Sequence, residues 1–226
     1  MFTAIPTEQT TAVTDLLLSI QAFITMLVVR RHRAVHPVGY GVWMVVLGLL
    51  SLASLLGAIA HGFDWSQAAL VSWWRPLYLM LGLIAALFVV AAVALTIGER
   101  PAYRSLPWAV VVALIFFSVT QLWSDSFLLF IMYEGLMLLF ALTLYARSYA
   151  LTGTQGTGFL AVGVLIALLA GGVDSQTGLR LNLFWSFDNH GLFHLVQMLS
   201  VMFFRLGLVA YAQVGPAQVV RADSGN

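Results

Sequence analysis

Three of the five histidines have the spacing of a shared site. In the stretch FDNHGLFHLVQ, residues 187–197, His190 and His194 stand four residues apart, with Asp188 and Asn189 leading in. On a helix, residues i and i+4 share one face. Two imidazoles so placed can bind one metal ion, as in helix-borne zinc sites. His61, at the end of an earlier apolar run, is the expected third ligand, leaving a fourth position open. In catalytic zinc sites that position holds water, whose pKa the metal lowers to about 7. The nearby acids are Asp64, about one turn beyond His61, and Asp188. Asp64 is expected to orient a histidine, to serve as general base or to be a loop carboxylate, and Asp188 to act on the site or to cap the helix. Ser54, two turns before His61, is expected on the same wall.

The elements that must position these residues are membrane helices. The chain has 226 residues, 61% hydrophobic and only 8% charged, where a soluble domain carries roughly 25% charged residues. Mean hydropathy is +0.96. Seven segments have the roughly 20 apolar residues that a span needs. They lie near 11–29, 38–61, 76–97, 107–124, 127–148, 158–174 and 189–213, as one transmembrane domain over 1–226. HPVG at 36–39, WWRP at 73–76 and RPAYRSLP at 100–107 read as breakers, and TGTQGTG at 152–158 as a flexible turn. The opening stretch MFTAIPTEQTTAVTDLLL lacks a basic leader and carries Glu8 and Asp15, so its apolar segment is expected to be retained as a helix.

Composition also excludes chemistry. There is no cysteine, which removes disulfides, thiolates and Cys-ligated metals. All ten basic residues are arginines, so no lysine is present to form a retinal Schiff base. The arginines also predict orientation. With the N-terminus outside, Arg30, Arg31, Arg33, Arg100, Arg104, Arg147 and Arg221 fall inside, against Arg75 and Arg180 outside. Trp65, Trp73, Trp74, Trp123 and Trp185 then form an outer aromatic belt, and His61, His190 and His194 share the outer level. Glu134 and Arg205, within spans, are expected to point inward and to pair. Gln121, Asp125 and Gln197 extend the outer polar set, and Asp15 and Gln21 are further candidates for the same cavity.

Seven helices, a histidine late in the second and HGLFHL at 190–195 resemble the CREST superfamily, which contains alkaline ceramidases and the progestin and adipoQ receptors. The resemblance covers the whole chain in topology and these few residues in motif. It implies zinc held by His61, His190 and His194, and an outer N-terminus as in the ceramidase branch. Two positions depart from the family pattern. Gly57 stands where the family has a second-helix serine, and SWWRPLYLM offers no third-helix aspartate.

Three functions follow as expectations. The first is a zinc-dependent membrane hydrolase, cleaving an amide or ester of a lipid in a bacterial plasma membrane. The second is a receptor-like bundle with zinc as a structural clamp. The third is a haem protein ligated by His61 with His190 or His194. The expected partner is a membrane lipid, with no nucleic acid.

Overall fold

The computed structural model describes residues 1–122, 126–176, 178–182 and 185–213. Trp123, Asp125 and Arg221 lie outside them. Seven helices follow in order: α1 (Pro6–Arg30), α2 (Pro37–Gly62), α3 (Gln67–Thr96), α4 (Glu99–Leu122), α5 (Ser126–Thr152), α6 (Gln155–Asp174) and α7 (Asn189–Gln213). All seven are long and apolar enough to cross a membrane, which fits the expected all-α bundle. A short antiparallel hairpin, β1 (Arg180–Asn182) and β2 (Ser186–Asp188), joins α6 to α7.

Two helices begin earlier than the prolines predict. Pro76 and Pro107 sit inside α3 and α4 instead of before them. Each removes one backbone N–H, which a long membrane helix tolerates when its neighbours re-satisfy the freed carbonyl. The start of α3 is set by Ser66, whose hydroxyl accepts a hydrogen bond from the Ala69 N–H.

Helices α1, α2, α3, α5, α6 and α7 pack in a closed ring, α7 returning onto α1, while α4 lies mainly against α3. Close approach rests on small residues. A methyl group at Gly163 would lie 2.6 Å from the Phe204 ring, and one at Gly156 2.7 Å from the Tyr211 backbone. Toward the end of the bundle where α2 begins, the Tyr40 hydroxyl donates to the Leu208 carbonyl at 2.7 Å, and that of Tyr211 to Leu95 at 2.8 Å. His36 and Glu99 pair there at 2.8 Å, tying the start of α2 to the start of α4. These contacts close one end of the ring.

Candidate functional site

The other end is open. A cavity of about 980 Å³ enters the ring there, and His61, His190 and His194 all line it. Local ties decide which carboxylate meets each ring. The first residues run back along the end of α2: the Thr3 N–H donates to the Gly62 carbonyl, the Asp64 N–H donates to the Met1 carbonyl, and Phe2 stacks on Phe63 at 4.7 Å. This lays the first turn of α1 beside the last turn of α2, and Glu8 Oε2 reaches His61 Nδ1 at 2.7 Å. The hairpin does the equivalent for α6 and α7. It folds the start of α7 onto the end of α6, where the Asn189 amide donates to the Asp174 carbonyl, and Asp174 Oδ1 reaches His190 Nδ1 at 2.6 Å.

The third histidine is buried. His194 Nε2 lies 3.2 Å from Asp15 Oδ1, and its Nδ1 lies 3.1 Å from the Thr14 hydroxyl. Asp15 is itself 4% exposed. It occupies a notch that only glycine leaves open: a Cβ at Gly57 would stand 2.5 Å from Asp15 Oδ2 and 2.9 Å from its Cγ. At the position of the expected serine, this chain has made room for a carboxylate from α1.

Among the described residues, every ion pair contains a histidine, and in each the two partners lie on different helices or at their caps. A carboxylate accepting from Nδ1 fixes the tautomer whose Nε2 carries the lone pair, as for metal-ligating histidines. That applies to His61 and His190, whose ring centroids are 6.0 Å apart. Two imidazoles sharing a zinc, with bonds of about 2.0–2.1 Å, have centroids about 5–6 Å apart. The 3.2 Å between His194 Nε2 and Asp15 Oδ1 is the length of a hydrogen-bonded pair. Among the described residues no three of these side chains converge tightly enough, as they stand, to hold a metal ion.

The expected acids take other places. Asp64 is exposed and is not among the described residues lining the cavity, because the chain leaves α2 at Phe63 and turns outward. Asp188 caps α7: its Oδ1 accepts from the Gly191 N–H at 2.9 Å and from the Thr11 hydroxyl at 3.0 Å. Ser54 lines the cavity as expected, buried. Glu134 lines it too, but Arg205 does not join it. Arg205 is exposed in a shallow groove between α1 and α7, because its position on α7 faces away from the ring. Gln21, expected as a cavity candidate, lies in that same groove and donates to the Met198 carbonyl.

Sequence reasoning missed Asp174 and the role of Glu8. Asp174 ends α6, three-dimensionally adjacent to His190 but sixteen residues away in sequence. The one available signal was an acid at the outer end of an otherwise apolar helix, where burial is costly without a partner.

A family model matches residues 10–213 of the chain. The chain belongs to the DUF6962 family, a family of unknown function. The match spans all seven helices of this DUF6962 member, from the first turns of α1 to the last residue of α7, and so includes every residue of the histidine cluster except Glu8. No curated protein and no solved structure matches the chain.

Proposed function

We propose that this DUF6962 protein is a metal-dependent membrane hydrolase acting on an amide or ester bond of a single-chain lipid. The observation that carries the reading is the pairing of His61 with Glu8 and of His190 with Asp174, both at Nδ1, at the mouth of an elongated cavity. Two further features support it. The histidines and their carboxylates gather at one end of the cavity, Glu134 stands part-way down, and the deep wall is lined by Leu47, Leu138, Ala167 and similar side chains. That is the polarity of a lipid with its head at the mouth and its chain inside.

His61, His190 and His194 would hold zinc, with Asp15 beside them. When bound, zinc supplies Lewis-acid polarisation of a carbonyl and an activated water near neutral pH. The chain's own residues do the rest. Glu8 and Asp174 hold their imidazoles in one orientation. Thr14 holds His194 from the other ring nitrogen. Asp15, anchored in the Gly57 notch, accepts or returns a proton at Oδ1. Ser54, a turn deeper than Gly57, offers a hydroxyl to the bound head.

The arginine distribution supports an outer N-terminus, which puts the cavity mouth at the outer face of a bacterial plasma membrane. The test is metal analysis of the purified chain with an assay on N-acyl and O-acyl single-chain lipids. The reading expects about one zinc per chain, lost in His190→Ala, and release of a fatty acid that depends on it. Metal-free, well-folded protein prepared without chelators would end it, and a Soret band would move it to haem.

A further inference from the structure

The cavity is longer than it is wide, and it has a floor. On α2 its lining runs from His61 down to Trp43, and on α3 from Val71 down to Phe88. At 1.5 Å per residue these stripes are about 25–27 Å long, nearly the thickness of a bilayer's hydrocarbon core. At the deep end three rings meet: Trp43 from α2, Phe88 from α3 and Phe204 from α7. Their centroids are 4.9 Å apart for Trp43–Phe88, 5.3 Å for Trp43–Phe204 and 5.1 Å for Phe88–Phe204. All three rings are buried, yet all three line the cavity.

The rings are fixed from behind. Gly163 leaves the space that the Phe204 ring fills, and Phe88 packs edge-on against the buried Tyr145. Just past Trp43, the Tyr40 and Tyr211 hydroxyls tie α2 to α7 and α7 to α3. A chain descending from the mouth therefore meets a packed aromatic plug held by three helices.

We infer that Trp43, Phe88 and Phe204 form a gauge that sets the length of the single lipid chain the cavity accepts. This rests on the lipid reading above. The physical reason is a change of sign. Each methylene that finds apolar wall favours binding by about fourfold. A methylene beyond the floor has to displace a close-packed ring or bend the chain back, and cores resist added volume. Affinity should therefore climb with chain length and then break sharply.

The experiment uses the full chain in phosphatidylcholine nanodiscs and tritium-labelled dodecanoate, displaced by saturated fatty acids of about 8 to about 22 carbons, with every affinity referred to the measured aqueous concentration of free acid. The wild-type protein should show a gain of about fourfold per added carbon up to a break, then a loss. Phe88→Leu and Phe204→Leu should move the break to longer chains. Ala85→Phe, which puts a ring into the cavity one turn above the floor, should move it to shorter chains. That variant decides the matter if the two leucine variants fail to fold. An affinity that rises through the whole series, or a break at the same carbon number in every folded variant, would overturn the gauge while leaving lipid binding standing. Failure of the wild-type protein to bind dodecanoate at all would instead overturn the lipid reading, and the gauge with it.

Discussion

Placing a methyl group at Gly57 should evict Asp15 from His194. The Cβ would stand 2.5 Å from Oδ2, 2.9 Å from Cγ and 3.0 Å from Oδ1 of a carboxylate that is 4% exposed. Asp is short, and its carbon and both oxygens are all within the clash, so no flexible tip can swing aside. Overpacking of this kind costs about 1–3 kcal/mol. Separating the carboxylate from His194 Nε2 leaves a buried polar group unsatisfied, which adds about 1–3 kcal/mol. Gly57→Ala should therefore lower stability by about 2–6 kcal/mol, and Gly57→Ser, which adds a hydroxyl to the same methyl position, by no less. The assay is reversible unfolding in mixed micelles, combined with a double-mutant cycle. In an Asp15→Ala background the notch is empty, and Gly57→Ala should then cost less than about 0.5 kcal/mol. The coupling between the two positions should exceed about 1 kcal/mol. A Gly57→Ala protein as stable as wild type, or one whose cost is the same with and without Asp15, would refute the account of the notch.

Three other outcomes are expected. Glu8→Gln and Asp174→Asn should each weaken zinc binding by about 10–100-fold in a chelator competition, since both act on the orienting ring nitrogen; unchanged affinity would detach these carboxylates from the metal reading. Tyr40→Phe removes a buried bond to the Leu208 carbonyl and should cost about 0.5–1.5 kcal/mol in the same unfolding assay, and a neutral result would mean that this tie does not hold the closed end. A tag at the N-terminus should be reached by impermeant reagent from outside the cell and one after Asn226 should not, and the opposite labelling would move the cavity mouth to the cytoplasmic face.

The seven helices were legible because length and hydropathy alone demand them, and in lipid every backbone group must be bonded within a helix or a closed barrel. Their beginnings were less legible. Pro76 and Pro107 read as boundaries in water-soluble terms, yet both fall inside helices whose tertiary neighbours outweigh one lost hydrogen bond. The histidines were legible as a set by type and depth. Their partners were not, since Glu8–His61, Asp15–His194 and Asp174–His190 are each set by how two elements lie side by side. Asp64 shows the same limit at a helix end. Helical counting put it one turn above His61, but the helix ends at Gly62 and the chain turns outward, so the count no longer applies. Gly57 read as a missing serine; its meaning became visible only with Asp15 pressed against it.

The clasp between the first and last helices bears on how the protein is made. Asp15 lies on α1 and His194 on α7, and Thr14 and Thr11 of α1 also bond to residues at the start of α7. During synthesis α1 reaches the bilayer six helices before α7 does. Throughout that interval Asp15 is an ionisable group at membrane depth without its partner, a state that lipid disfavours. Arrival of α7 relieves it and completes the cavity in the same step. A chain truncated before α7 would thus present an unsatisfied carboxylate inside the membrane, a mark by which a quality-control protease can tell an unfinished bundle from a finished one.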